Sequence, residues 1–178
     1  MYNKTFVGLD VHKDTITIAK AKGYSEVEVY GTINNTLKSL TKCLTKFAEP
    51  KNLVICYEAG PCGYEIYRHL EKNKIECLVA APSLIPKAPG NKIKNDNRDA
   101  KTLARSLRSG DISPVWVPDT ESEALRDLAR AREAAVQDRQ RARQRVRTFL
   151  MRYNYYPREN VNPWTVKYER WLTTLKFN

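Results

Sequence analysis

The stretch TFVGLDVHKDTITIAKA, residues 5–21, decides the fold. TFVGLDV and TITIAKA are rich in β-branched residues at a period of two, and a polar His-Lys-Asp turn separates them, which predicts two antiparallel strands. EVEVYGTI, residues 26–33, repeats the pattern and predicts a third strand. NNTLKSLTKCLTKFAEP (34–50) opens on capping-type Asn and Thr, sets Leu37, Leu40, Leu44 and Phe47 at helical spacing, and stops at Pro50. NLVICYEA (52–59) has the unbroken apolar texture of a buried strand, GYEIYRHLEKNK (63–74) reads as a second helix, and IECLVA (75–80) as a fifth strand. The predicted order is βββαβαβ, an α/β arrangement in which the first and fourth strands are neighbours. APSLIPKAPGNKIKND (81–96) holds three prolines and a glycine and predicts an irregular, basic loop. A helix from near Asn97 to about Ser109 completes this half, which ends at residue 117.

The second half, 118–178, has a different texture. From Thr120 to Asn154 the chain lacks Gly and Pro, and Thr120 with Glu123 reads as a capping box, so one long helix is expected. Leu125, Leu128, Ala135, Ala142, Val146, Phe149 and Tyr153 follow a heptad-like seam interrupted by Arg132 and Arg139, which suggests a coiled-coil-like or dimerising helix. Between Arg139 and Arg152 six arginines occur without an acid. Arg139, Arg141, Arg143, Arg145 and Arg147 are candidate phosphate contacts, together with Arg98 and the loop residues Lys87, Lys92 and Lys94. NPWTVKYERWLTTLKF (162–177) aligns Trp164, Tyr168, Trp171, Leu172 and Leu175 on one helical stripe that needs cover from the long helix, another subunit or a further domain.

Composition agrees with a polyanion-binding chain. In 178 residues, 31 Lys and Arg stand against 20 Asp and Glu, a net charge of +11. Cys43, Cys56, Cys62 and Cys77 show no C-x-x-C spacing and, with only two histidines, make a poor zinc set, so a reduced cytoplasmic chain is expected. Neither a signal peptide nor a membrane-spanning run is evident, so no membrane partner is expected.

Against this background the acids at strand ends stand out. Asp10 closes the first strand and Glu58 the fourth, and Asp96 and Asp99 lie three apart at the start of a helix. Taken singly each has an ordinary role: a turn former, a loop-edge charge, an N-cap, a first-turn acid. Taken together they are expected to meet at one point. Crowded carboxylates repel unless cations balance them, and an oxygen-rich set suits Mg²⁺ or Mn²⁺. Two such ions about 4 Å apart activate an attacking oxygen and stabilise a leaving one in phosphodiester chemistry. His12 is read as a turn residue on the opposite face from Asp10. Cys56 and Cys62 are read as apolar fillers rather than nucleophiles, and Ser83, Ser106 and Ser109 have no adjacent base.

GLDVHKD, YEAGPCGYEIYRHL, KNDNRDAKTLARSLRSGDISPVWVP and the arginine-rich helix after them resemble, in that order, the N-terminal part of insertion sequence 110 family transposases, which include the pilin-gene invertases. The resemblance implies a ribonuclease H-like, RuvC-type fold for residues 1–117 with a mixed sheet and flanking helices. It also implies an Asp-Glu-Asp-Asp site, mapping onto Asp10, Glu58, Asp96 and Asp99 as catalytic and Mg²⁺- or Mn²⁺-binding residues. Residues 118–178 would then be an arginine-rich nucleic-acid-binding and dimerisation extension. DNA, a structured guide RNA and a second copy of the chain are the partners so implied. The serine nucleophile of the family belongs to a C-terminal domain that is expected to be absent here, so strand exchange by these residues alone is not expected. Two alternatives are a non-catalytic nucleic-acid-binding and dimerisation module, and a RuvC-like nuclease acting alone. An actin-like ATPase or sugar kinase fits poorly, because Val11, His12 and Lys13 follow the first Asp where a phosphate loop needs small residues. A proofreading-type exonuclease fits poorly because His12 stands where a second acid is usual.

Overall fold

The computed structural model describes residues 3–85, 95–157 and 161–176. Lys87, Lys92 and Lys94 lie outside the described residues. The chain divides into two compact units, Met1–Val117 and Pro118–Asn178.

The first unit runs β1 (Thr5–Val11), β2 (Thr15–Lys22), β3 (Glu28–Asn34), α1 (Leu37–Leu44), β4 (Leu53–Glu58), α2 (Glu65–Lys72), β5 (Glu76–Ala80) and α3 (Asp96–Ser109). The sheet order is β3-β2-β1-β4-β5. β1, β2 and β3 pair antiparallel, while β4 lies parallel to both β1 and β5. This is a mixed five-stranded α/β sheet of the ribonuclease H-like kind. α1 is shorter than its apolar spacing predicts. After Leu44 the chain tightens, with Lys46 N–H donating to Cys43 O and Phe47 N–H to Leu44 O. Phe47 therefore packs from a turn, its ring edge-on to Tyr30 at 4.7 Å between centroids.

Period-two alternation assigns the two faces of the sheet. Val7 and Leu9 of β1 join Ile55 and Tyr57 of β4 in the larger core, which includes Leu40 and Leu44 of α1 and Ile66 and Leu70 of α2. Phe6 of β1 and Val54 and Cys56 of β4 point the other way, onto Leu103 and Leu107 of α3. Gly8 also faces α3: a Cβ built there would stand 2.3 Å from Ala100 O and 2.5 Å from Ala104 N. Ala19, Ala21, Ala100 and Ala104 cluster beside it, so small residues on both surfaces let the helix lie close to the strands.

The ends of α3 are set by local chemistry. Asn95 caps the N-terminus by accepting from Asn97 N–H at 3.1 Å, and Asp96 and Asp99 occupy the first turn, where the helix dipole favours acids. Gly110, at φ 82°, ends the helix in the left-handed conformation, and Asp111 N–H returns to Ser106 O.

The second unit holds α4 (Thr120–Arg152) and α5 (Val166–Thr173). The N-cap of α4 is Asp119, not Thr120: its carboxylate accepts from Ser122 N–H at 2.7 Å. Asp one residue earlier is the stronger cap, so the helix begins at Thr120 itself. Of the α4 residues only Leu150 is buried, and Leu125, Leu128, Val146 and Phe149 are exposed. The aromatic stripe is covered inside this unit more than its spacing requires. Tyr168 is buried, with Trp164 and Trp171 ring centroids at 5.2 and 5.3 Å, and the Arg143 guanidinium lies over Trp164 at 5.0 Å. Trp164, at φ 66°, precedes the helix instead of belonging to it. No helix among the described residues is long and apolar enough to cross a membrane.

Candidate metal centre

Leu9 pairs with Tyr57 in the parallel β1–β4 ladder, so Asp10 and Glu58 are the next residues out, at the carboxyl ends of adjacent strands. Both lie at even steps from residues that face α3: Phe6 and Gly8 precede Asp10, and Val54 and Cys56 precede Glu58. On α3, Asp96 is four residues before Ala100 and Asp99 four before Leu103, which places both acids above the helix surface that packs on the sheet. The alternation of the two strands and the turn of the helix give the four acids the same facing, and the distances show which of them meet.

Asp10 is the most enclosed of them, its side chain 12 % exposed. Its Oδ2 lies 3.2 Å from His12 Nε2, which in turn lies 3.4 Å from Asp96 Oδ1. One ligand atom from each of Asp10, His12 and Asp96 falls within 4.8 Å of the others, and among the described residues this is the set close enough to share an ion. Glu58 and Asp99 are outside this tight set. Glu58 is exposed and shares with Asp10 the wall of a cavity of about 900 Å³, which Lys13, Asn35 and Glu65 also line. Asp99 is half-buried one turn into α3.

The placement of His12 corrects the sequence expectation. β1 ends at Val11, but His12 N–H donates to Thr15 O at 2.8 Å, and its ring lies 3.2 Å from Asp10 Oδ2, on the same side as the residue two before it. The period-two rule itself carried that signal. Asn35 was missed as well. Its amide donates to His12 O at 2.8 Å and Lys13 O at 3.3 Å, and its N–H to Asp14 O, so the link between β3 and α1 holds the hairpin tip that bears His12.

The cavity wall after β4 is fixed from the opposite face. Tyr57 donates its hydroxyl to Gly63 O at 3.1 Å, and burial pushes its ionisation upward. Burial also pushes the Cys56 thiol up to about 12 and raises Cys43, Cys62 and Cys77. A thiolate is the reactive form, so none of the four is suited to nucleophilic attack near neutral pH. At pH 7.5 the folded chain is expected to take up iodoacetamide at Cys56 and Cys77 at least about 100-fold more slowly than the urea-unfolded chain, read by mass spectrometry. Equal rates would contradict this burial.

A mixed five-stranded sheet with Asp10 and His12 meeting Asp96 of α3 at the end of β1 defines a ribonuclease H-like scaffold with an acidic cluster close enough to hold an ion. Residues 7–155 match the profile of the DEDD transposases of the insertion sequence 110 family, described as transposase, and the chain belongs to that family. A putative transposase of Sinorhizobium fredii, y4qE, is 40 % identical over 99 % of this chain and 46 % of its own length. The transposase for insertion sequence element IS1533 of Leptospira borgpetersenii is 39 % identical over 100 % of this chain and 52 % of its own. The chain thus spans about half the length of the curated relatives it matches.

Proposed function

We propose that this chain is the metal-binding, nucleic-acid-holding half of a DNA transposase, with Asp10, Glu58, Asp96 and Asp99 as its catalytic acids. The observation that carries the reading is the approach of Asp96 on α3 to Asp10 on β1, bridged by His12 at 3.4 and 3.2 Å. Donors of this kind, mainly carboxylate oxygens from separate elements, fit Mg²⁺ or Mn²⁺. Bound there, such an ion supplies charge neutralisation at a phosphodiester and lowers the pKa of an attacking hydroxyl. The chain's own part is to hold the carboxylates in register on a rigid sheet, with Glu58 at the cavity wall and Asp99 one helical turn below Asp96. Lys13 at the cavity offers a cation for a neighbouring phosphate.

Residues 118–178 act in this proposal as the nucleic-acid-holding extension. Arg139, Arg141, Arg145 and Arg147 are exposed along α4, and Arg98 is exposed at the start of α3. Arg143 is partly engaged with Trp164, so its contribution to phosphate contact is smaller. DNA and a structured guide RNA are the proposed ligands. Leu125, Leu128, Val146 and Phe149, exposed on α4, support association with a second copy. The other half of the transposase would supply the serine nucleophile. This reading is preferred to a non-catalytic module because Asp10, His12 and Asp96, from separate parts of the chain, each bring a donor atom within 4.8 Å of the others.

Fluorescence anisotropy with a DNA duplex and a folded RNA tests the proposal. Affinity is expected to fall steeply between 50 and 200 mM salt, by about 10³-fold for six phosphate contacts. Replacing Arg139, Arg145 and Arg147 by Gln is expected to reduce the log–log slope by about 2 to 3. Added Mn²⁺ is expected to tighten duplex binding by the wild-type chain and not by Asp10→Asn. A flat salt dependence, or the same Mn²⁺ response in both chains, would contradict it.

A further inference from the structure

We infer that His12 is a direct ligand of the metal centre, giving it a nitrogen donor beside the four acids. The inference rests on the reading of Asp10 and Asp96 as metal-binding residues and adds a residue to that site.

Three observations carry it. First, Nε2 of His12 is 3.2 Å from Asp10 Oδ2 and 3.4 Å from Asp96 Oδ1, placing it between two carboxylates from different elements. Donors on one edge of an octahedral ion with bonds near 2.1 Å are separated by about 3 Å, so the two short distances that His12 makes here are ones an ion could take over, with all three atoms within 4.8 Å of one another. Second, the imidazole is held there from behind. Asn35 fixes the carbonyl of His12 and that of Lys13, so the ring is presented by a braced hairpin tip and not by a free loop. Third, the side chain is 35 % exposed and borders the 900 Å³ cavity, which gives an ion and its waters a way in.

A nitrogen ligand changes which metal the centre prefers. Mg²⁺ favours oxygen donors and retains its waters, whereas Mn²⁺ and later divalent ions accept imidazole readily. His12 should therefore raise affinity for Mn²⁺ more than for Mg²⁺.

Pulsed electron paramagnetic resonance of Mn²⁺ bound to the 178-residue chain, without nucleic acid, gives a direct readout. Modulation from a coordinated imidazole ¹⁴N is expected. The chain has only two histidines, and His69 Nε2 lies 2.7 Å from Thr41 Oγ1, between α2 and α1, so the source is assignable. The signal should vanish in His12→Ala and persist in His69→Ala. His12→Ala should also weaken Mn²⁺ by about 10-fold or more, with a smaller change for Mg²⁺. Mn²⁺ bound without nitrogen modulation, or modulation that survives His12→Ala, would overturn the inference while leaving the carboxylate centre standing. Failure of the wild-type chain to bind Mn²⁺ at all would instead remove the centre itself.

Discussion

Replacing Gly8 by valine is expected to lower the stability of the first unit by about 3 kcal/mol and to weaken Mn²⁺ binding with it. The reason is local and severe. The added Cβ would meet Ala100 O at 2.3 Å and Ala104 N at 2.5 Å, and both are backbone atoms in the middle of α3 that no rotamer change can move. The strand cannot yield easily either, because Gly8 pairs with Ala19 on one side and Cys56 on the other in the centre of the sheet. The helix must lift. Since α3 carries Asp96 at its first turn, lifting it withdraws this acid from Asp10 and His12, and a packing defect becomes a defect in metal affinity. Thermal unfolding should show the midpoint fall by on the order of 10 °C or more. An unchanged midpoint, or a destabilised protein with wild-type Mn²⁺ affinity, would show that the close crossing of α3 over β1 does not position the site.

The strands were legible because β-branched residues at period two leave few alternatives, as in TFVGLDV and TITIAKA. The neighbour relation of β1 and β4 followed from the βββαβ order. Shorter-range features were less so. α1 ends at Leu44, and Phe47, which helical spacing put on the helix, packs instead from the turn beyond it against Tyr30. The cap of α4 was misplaced by one residue because Asp119 and Thr120 are both good caps, and the choice is made by which one reaches Ser122 N–H. At the site, Asp10 and Asp96 could be singled out as acids at element ends, and His12, two residues after Asp10, was legible from the same alternation although it was assigned to the opposite face. The role of Gly8 was hidden. A glycine in a strand marks a close approach, but the sequence does not say by what.

Asp10→Asn is expected to weaken Mn²⁺ binding by at least about 100-fold while leaving the fold intact. The substitution keeps the shape and removes the charge. Asp10 is the acid most shielded from water, at 12 % exposure against 51 % for Asp96, so its interaction with a cation is the least screened of the two. Its removal leaves His12 and Asp96 without the third member of the only closely gathered set among the described residues. Calorimetry should register this as loss of the Mn²⁺ isotherm, with an unfolding midpoint within a few degrees of wild type. The location is tested most directly by anomalous scattering from crystals soaked in Mn²⁺. A peak within about 2.5 Å of carboxylate oxygens of both Asp10 and Asp96, absent in Asp10→Asn, is the result expected. A saturating soak that places Mn²⁺ elsewhere on the chain, or gives no peak between β1 and the start of α3, would contradict the assignment of the metal centre.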